Sequence, residues 1–190
     1  MGRPAVKRRR DRLIVLDRDG VINADSADYI KSAAEWHPLP GSLEAIARLN
    51  AAGYDVVVVT NQSGIGRGLF DADALAEIHA AMRAATAAAG GDIAGIYVCP
   101  HRPDEGCDCR KPMPGLLRRI EADFDRPLAG VPLIGDKLSD VLAARAVGAR
   151  PVFVRSGGRE DDAARAAGLG AGVHPDLAAA VDALLAEQGN

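Results

Sequence analysis

The stretch Leu13-Ile-Val-Leu-Asp17-Arg-Asp19-Gly20 decides the fold of this chain and carries its first reactive groups. Four apolar residues predict a short buried strand, and two carboxylates spaced two residues apart follow it. Residues i and i+2 of an extended chain point to the same side, so Asp17 and Asp19 project together beyond the strand's carboxyl end. Ligands bind at that edge in open α/β sheets. A solvated Asp-Arg-Asp-Gly turn is the alternative interpretation, and the rest of the chain decides between the two.

Short apolar runs alternate with amphipathic stretches along the chain. The runs, which predict buried parallel strands, are residues 13–16, 55–59, 93–98, 132–134 and 151–154. The stretches that predict helices are residues 42–52, 71–89, 114–124, 139–147 and 175–187. This alternation predicts an α/β fold, a single doubly wound parallel sheet of the Rossmann-like kind. We expect one domain over residues 1–190, with residues 1–12 as a flexible tail and no large cap domain.

The composition excludes several classes of protein. Over 190 residues, 48% are hydrophobic and 26% are charged, as in ordinary globular proteins. The formal net charge of −3 argues against a nucleic-acid-binding face, which needs concentrated positive potential. The basic run Lys7–Arg10 is interpreted as a solvated end. Apolar runs are too short for a membrane span or a signal peptide, so we predict a cytoplasmic protein without membrane contact.

Polar residues follow other predicted strands at the same edge. Thr60 ends the second strand and opens the glycine-rich loop Asn61–Gly68, whose donors suit phosphate oxygens, although a flexible connector would read the same way. Asp136 follows the fourth strand and would complete an oxygen site for Mg²⁺ with the first two carboxylates. Asp140 fits either a helix cap or a supporting role.

Positive charge and sulfur lie in the insertion at residues 99–114. Arg110 and Lys111 could neutralise a transferring phosphoryl group, with a solvated basic turn as the alternative. Three thiols and one imidazole match a tetrahedral structural Zn²⁺ centre, here called the Cys/His clip: Cys99, His101, Cys107 and Cys109. Free thiols in a surface loop are the alternative. The other histidines, at positions 37, 79 and 174, are interpreted as structural or solvent-facing.

These motifs carry a resemblance to a known superfamily. Asp17-Arg-Asp-Gly20, Thr60, Lys111 and Gly135–Asp140 resemble, in order, the four motifs of the haloacid dehalogenase superfamily. With the Cys/His clip, they resemble more narrowly the D-glycero-D-manno-heptose 1,7-bisphosphate 7-phosphatase family, from about Leu13 to Gly158. The resemblance implies Mg²⁺-dependent hydrolysis of the 7-phosphate in nucleotide-activated heptose and lipopolysaccharide core biosynthesis. It leaves the anomer at the 1-phosphate open.

The resemblance also implies a role for each matching residue. Asp17 would be the nucleophile that forms an aspartyl-phosphate, and Asp19 the general acid and base. Thr60 and Lys111 would hold the phosphoryl group, and Mg²⁺ would bind Asp17, the Asp19 carbonyl and Asp136. The implied contacts with a small phosphorylated sugar are Asp25, Asp28, Asn61, Gln62, Ser63, Arg110 and Lys137. A monomer is expected.

Three other functions compete with this one. A histidinol-phosphate phosphatase resembles the chain in the same core motifs and clip. A polynucleotide 3′-phosphatase has a similar glycine-rich loop, but the acidic balance here opposes a nucleic-acid groove. A zinc-stabilised binding module that has lost catalysis would be expected to lack at least one of the four motif residues, and none is missing.

Overall fold

The computed structural model describes residues 10–157 and 160–187 of the chain. Its strands are β1 (Arg12–Leu16), β2 (Tyr54–Asn61), β3 (Gly95–Cys99), β4 (Pro132–Gly135), β5 (Arg150–Val154) and β6 (Gly172–His174). They form one parallel sheet in the order β3-β2-β1-β4-β5-β6. The strand order reverses between β1 and β4, which is where doubly wound sheets open a crevice for ligands. The predicted fold class is confirmed.

The helices lie on both faces of this sheet. They are α1 (Ser42–Ala51), α2 (Ser63–Gly66), α3 (Ala72–Ala88), α4 (Gly115–Phe124), α5 (Leu138–Ala146), α6 (Glu160–Gly168) and α7 (Leu177–Ala186). Five of them match predicted helices within two residues. The side chain of Asp71 accepts a hydrogen bond from the Ala74 N–H at 2.8 Å and so caps α3.

Alternation along β1 divides the core into two layers. Ile14 and Leu16 face a layer that α1, α3 and α7 cover. Leu13 and Val15 face the opposite layer, which α4 and α5 cover. Because all four side chains are buried, the central strand has no solvated face, as expected of a parallel sheet.

The insertion after β1 and the first described residues are both attached to the sheet domain. The insertion at residues 24–40 is anchored by Ile30 and Trp36, which pack into the layer beneath α1 and α3. The predicted tail of residues 1–12 overlaps the described residues, because Arg12 opens β1 and the Arg10 N–H donates to Asp55 Oδ2 at 2.6 Å. Residues 1–9, including Lys7, lie outside the described residues. None of the described helices is long and apolar enough to cross a membrane.

Candidate active site

A cleft of about 360 Å³ opens where β1, β2 and β4 end. Ten of the predicted catalytic and phosphate- or substrate-contacting residues line it: Asp17, Asp19, Asp25, Thr60, Asn61, Gln62, Ser63, Arg110, Lys111 and Lys137. Asp28 does not line it. That residue borders a second pocket instead, lined by residues of the insertion. Tyr29 and Ser139 line the cleft without having been predicted.

Asp17 is held at the base of the cleft. Its Oδ1 accepts a hydrogen bond from the Arg18 N–H at 2.7 Å and lies 2.9 Å from Lys111 Nζ. Burial raises the pKa of Asp17 to about 6, against the opposing effect of the Lys111 charge. The side chain is therefore fixed by two donors and ionises at neutral pH.

Asp136 is a fully buried carboxylate next to Asp17. Neither of its oxygens has a hydrogen-bond partner among the described residues. Burial, with the Asp17 charge, raises its pKa to about 8. Gly20 allows this packing, because a Cβ at that position would lie 2.3 Å from Asp136 Oδ2, and its φ of +80° favours glycine. The turn after β1 therefore packs directly against the Asp136 carboxylate, which has no hydrogen-bond partner among the described residues.

This arrangement fits a divalent cation. Asp17, Asp136 and Asp140 each offer a carboxylate oxygen, and the three atoms lie within 4.8 Å of one another. Three carboxylates and the single ammonium group of Lys111 would carry a net charge of −2 when all are ionised, which one Mg²⁺ would balance. Mg²⁺ prefers carboxylate oxygens together with water and phosphate. The orphaned oxygens of Asp136 give this cation an unsatisfied ligand.

Lys111 bridges the acidic groups. Its Nζ lies 2.9 Å from Asp17 Oδ1 and 2.5 Å from Asp140 Oδ1, and it donates to the Val59 carbonyl at 2.9 Å. Burial opposes the charge, but the two carboxylates outweigh it and hold the pKa of Lys111 above its usual value. Asn61 braces the backbone here, since its amide accepts from the Lys111 N–H and donates to the Lys111 carbonyl, both at 3.1 Å. Asn61, predicted as a substrate contact, thus holds Lys111 in place.

Asp140 combines the two roles that its position suggested. Its Oδ2 accepts from the Lys137 N–H at 3.1 Å at the start of α5, while its Oδ1 contacts Lys111. A Cβ on Gly135 would lie 2.2 Å from the Asp140 Cβ, so β4 must end in a glycine for this carboxylate to turn inward.

Asp19 is held by donors on both oxygens. Its Oδ1 accepts from Arg18 Nε and Asn23 Nδ2, each at 2.9 Å. Its Oδ2 accepts from Arg18 Nη2 at 3.0 Å and Gln62 Nε2 at 2.8 Å. Burial acts to raise the pKa of Asp19, but the Arg18 charge and these hydrogen bonds hold it below its usual value. Arg18 and Asn23 were not predicted as site residues, although Arg18 lies within the motif Asp17–Gly20 and Asn23 follows it by three residues.

The amide of Gln62 links this carboxylate to the phosphate loop. Its Nε2 also donates to Thr60 Oγ1 at 2.8 Å. Because the Thr60 hydroxyl accepts this bond, its own hydrogen stays available for an anion in the cleft. Gln62, predicted as a substrate contact, therefore orients Asp19 and Thr60.

Two cations stand at the mouth of the cleft. Lys137 Nζ lies 2.9 Å from Asp25 Oδ2 and 3.8 Å from Asp136 Oδ2. Burial works against its charge, but the nearby carboxylates raise the pKa of Lys137. Arg110 Nη1 donates to the His101 carbonyl at 3.3 Å, which fixes the guanidinium to the Cys/His clip. These groups form an outer cationic pair, separate from the buried Lys111.

The four residues of the Cys/His clip come together as predicted. Cys99 Sγ lies 3.7 Å from Cys107 Sγ and 3.3 Å from Cys109 Sγ, and His101 Nδ1 lies 3.6 Å from Cys99 Sγ and 3.1 Å from Cys109 Sγ. Ligands about 2.3 Å from a tetrahedral zinc would stand about 3.8 Å apart. The donor set and its spacing therefore fit Zn²⁺.

The clip is joined to the phosphate loop and to Lys111. The Gln62 N–H donates to the Cys99 carbonyl at 2.7 Å, and the Gly66 N–H donates to the Pro100 carbonyl at 3.0 Å. Cys109 directly precedes Arg110 and Lys111 in the sequence. A cation in the clip would thereby restrain both loops that carry phosphate-binding groups.

Two family models match the chain. The model described as polynucleotide kinase 3 phosphatase covers residues 12–138, and the HAD-hydrolase-like model covers residues 108–180. The chain is 50% identical over 173 residues to the D-glycero-beta-D-manno-heptose-1,7-bisphosphate 7-phosphatase of Pseudomonas aeruginosa, which covers 91% of this chain and 97% of the relative. The enzyme of that name from Bordetella bronchiseptica is 51% identical over 177 residues, with 93% and 99% covered.

Solved structures agree with these relatives. The D,D-heptose 1,7-bisphosphate phosphatase of Bordetella bronchiseptica, complexed with magnesium and phosphate, matches with a TM-score of 0.89 at 50% identity and covers 93% of this chain and 99% of its own. That of Burkholderia thailandensis matches with a TM-score of 0.71 at 44% identity, covering 92% of this chain and 99% of its own. The chain therefore belongs to the HAD-like hydrolases and, within them, to the heptose 1,7-bisphosphate 7-phosphatase family.

Proposed function

We propose that this protein hydrolyses the 7-phosphate of D-glycero-β-D-manno-heptose 1,7-bisphosphate. The observation that carries the proposal is the juxtaposition of Asp17, Asp19 and Lys111 in one cleft. This places a nucleophile, an acid/base group and a fixed cation around the position of one phosphoryl group. The β anomer follows the names of the relatives at about 50% identity.

The chain's own residues divide the reaction into two displacements. An oxygen of Asp17 attacks the phosphorus, and the bond from phosphorus to the sugar oxygen breaks. Asp19 supplies the proton that the leaving oxygen needs, from a protonated form that its lowered pKa makes scarce but strongly acidic. A water molecule then attacks the aspartyl-phosphate, Asp19 takes its proton, and Asp17 is released with inorganic phosphate. Lys111 and the Thr60 hydroxyl offset the negative charge on the transferring oxygens throughout.

Mg²⁺ would be held by Asp17, Asp136 and the Asp19 carbonyl. When bound, it supplies charge neutralisation for the phosphoryl oxygens and keeps Asp17 ionised. The orphaned oxygens of Asp136 and the raised pKa values of Asp17 and Asp136 support this assignment, because a cation removes the cost of burying those charges.

The outer cations suit the second phosphate of a bisphosphate. Arg110 and Lys137 both line the cleft, away from the buried Lys111. We assign them to the 1-phosphate, with Lys137 exchanging its Asp25 partner for the phosphate oxygens. A monophosphate would leave this pair unused, and the pair therefore favours a bisphosphate over histidinol phosphate.

In this proposal the Cys/His clip binds Zn²⁺ and serves structure, not turnover. Its four donors leave no protein ligand position open for catalysis. Its bonds to the Gln62 loop and to Arg110 support that role. We further propose a cytoplasmic monomer in which one chain supplies the whole cleft.

A second candidate comes from the family model that covers residues 12–138, which is described as a polynucleotide 3′-phosphatase. Such a substrate requires basic surface along a strand of nucleotides. In the cleft, Lys137 already lies 2.9 Å from Asp25 and 3.8 Å from Asp136, and Arg110 is bonded to the His101 carbonyl. Together with the formal net charge of −3, this favours the sugar.

The test is phosphate release with Mg²⁺ from four substrates in parallel. These are the β and α anomers of the heptose bisphosphate, histidinol phosphate, and an oligonucleotide with a 3′-phosphate. Asp17→Asn is the blank, and Asp73→Asn, an exposed carboxylate of α3, is the matched control for losing an acidic group. We expect the β anomer to have the highest kcat/KM and the blank to release no phosphate.

Each other outcome assigns the protein differently. Preference for histidinol phosphate or for the oligonucleotide would overturn the substrate and keep the catalytic residues. Phosphate release from none of the four, by a protein that binds Mg²⁺, would overturn the enzyme assignment and favour a binding module.

A further inference from the structure

Arg18 occupies a position where the fold calls for an apolar residue. It continues the alternation of Ile14 and Leu16, whose side chains enter the layer beneath α3. Arg18 is nevertheless 0% exposed and ranks among the largest fully buried side chains. Burying a guanidinium is costly unless its charge and its N–H groups are satisfied. Some function beyond packing is therefore needed to explain an arginine here.

Its partners form a chain from α3 to the acid/base group. Nε and Nη2 donate as a fork to the two oxygens of Asp19, at 2.9 and 3.0 Å. Nη1 points the other way, 3.4 Å from Nε2 of His79 on α3. Because arginine has no acceptor, His79 Nε2 must be the acceptor, with the ring proton on Nδ1. Burial and the neighbouring Arg18 charge lower the pKa of His79 to about 3, which keeps the ring neutral for this role.

We propose that Arg18, braced by His79, is the positioning residue that fixes the orientation of the Asp19 carboxyl group for proton transfer to the leaving sugar oxygen. The fork fixes the plane of the carboxyl group, which a single-point contact would leave free to rotate. His79 fixes the far end of the guanidinium, so the fork is held by the packed helix α3. This inference rests on the proposed function only in taking Asp19 as the general acid.

A purely structural role for Arg18 predicts different kinetics. Loss of packing would disturb the whole cleft and slow all substrates by a similar factor. Loss of positioning would matter only where the leaving group needs a proton. An alkyl oxygen leaves as a strong base and depends on the acid, whereas 4-nitrophenolate leaves unprotonated. Since kcat/KM reports the steps up to leaving-group release, the ratio of alkyl to aryl kcat/KM separates the two roles.

The experiment compares variants on three substrates with Mg²⁺. The alkyl substrates are the heptose bisphosphate and glycerol 2-phosphate, and the aryl substrate is 4-nitrophenyl phosphate. Arg18→Lys keeps the charge but cannot form the fork. We expect it to lower kcat/KM by about 10²-fold for both alkyl substrates and by less than about fivefold for the aryl one.

Two variants of His79 test the same proposal if Arg18→Lys fails to fold, because His79 is only half-buried. His79→Leu removes the acceptor and should lower the alkyl values about tenfold, with the aryl value nearly unchanged. His79→Gln restores an acceptor and should recover most of the loss. The control Thr86→Val removes a buried hydrogen bond to the Met82 carbonyl on the same helix, and it should leave the ratio unchanged.

Equal losses on alkyl and aryl substrates in Arg18→Lys and His79→Leu would overturn the proposal in favour of a structural role. Wild-type values in both variants would also overturn it. If wild-type protein cleaves glycerol 2-phosphate as well as the heptose bisphosphate, the proposed substrate fails. The ratio measured on glycerol 2-phosphate then still decides the role of Arg18.

Discussion

The carboxylate cleft and the Cys/His clip lie at the same edge of the sheet, but the chain builds them in opposite ways. The four clip residues fall within eleven positions, and three of them are half-exposed. The central groups of the cleft come from Asp17, Lys111, Asp136 and Asp140, and each is more than nine-tenths buried. The clip is therefore a local structure and the cleft a product of the whole sheet.

The difference also concerns charge. The clip combines three thiols and one imidazole without an opposing charge of its own, and its thiols must ionise to bind a cation. In the cleft, Lys111 already neutralises part of the charge of Asp17 and Asp140, so the site is assembled without the ion. We expect the cleft to lose chemistry without losing shape, and the clip to lose shape first.

The largest effect should follow Asp19→Asn. The amide cannot give or take a proton, so kcat should fall by about 10³-fold while KM changes little. Steady-state kinetics on the heptose bisphosphate measures this, and the zinc content of the clip should stay unchanged. Wild-type turnover would remove Asp19 from the mechanism.

Lys111→Met should lower turnover by about 10²-fold, because a fixed positive charge next to the phosphoryl group is lost. The same variant should bind Mg²⁺ more tightly than wild type, since the proposed ligand Asp17 loses its competing cation. Calorimetric titration with Mg²⁺ checks the second part. Weaker Mg²⁺ binding would contradict the idea that Lys111 and the metal share Asp17.

Cys109→Ser should lower turnover by about tenfold, through misplacement of Arg110 and Lys111. It should also abolish zinc binding and leave Mg²⁺ affinity close to that of wild type. Metal analysis and Mg²⁺ titration of the purified variant separate these effects. Wild-type protein without zinc, or a variant that no longer binds Mg²⁺, would break the proposed division between clip and cleft.

The smallest effect concerns pH and the metal-free protein. Folding raises the pKa of Asp17 to about 6 and of Asp136 to about 8, from an unfolded value near 3.9. A raised carboxyl pKa contributes stability that is complete below about pH 4 and is lost as pH rises through the folded values. Mg²⁺ binds the ionised groups, so it should raise the melting temperature by a few degrees at pH 8 and hardly at all at pH 5.

Thermal unfolding with and without Mg²⁺ at the two pH values measures this shift. Asp136→Asn is the control and should remove most of the Mg²⁺ effect at pH 8. An equal shift at pH 5 and pH 8 in wild type would contradict the link between metal binding and carboxylate ionisation.

Sequence patterns were sufficient for the regular elements of the core. The strand at residues 13–16 extends by one residue to Arg12, and the helix at 42–52 ends one residue early. The short elements were missed. α2 has four residues and β6 has three, so neither is long enough for periodicity to reveal it, and α6 lies in an alanine-rich charged stretch that contains no large apolar side chain before its end.

Site residues also divide into those that a local pattern revealed and those that it did not. Asp17 and Asp136 were predicted, because a carboxylate directly after a buried strand marks the ligand edge of the sheet. Asn61 and Gln62 line the cleft, and their substrate contacts stay a prediction, but their amides also bond to protein groups that the sequence did not indicate. Three of these four bonds join positions more than forty residues apart in the chain, and no local pattern records them.

The sequence by itself determined the α/β class, the edge that carries the site, and the composition of the clip. These depend on spacing within one strand or one loop, where geometry is set by the backbone. Tertiary structure decided which charged residues pair with one another and which residues only hold other site residues in place. Arg18 shows this most clearly, since a polar turn residue became a buried clamp between Asp19 and His79. Only packing brings α3 against β1, and only there does a charged side chain lose its water and depend on its neighbours.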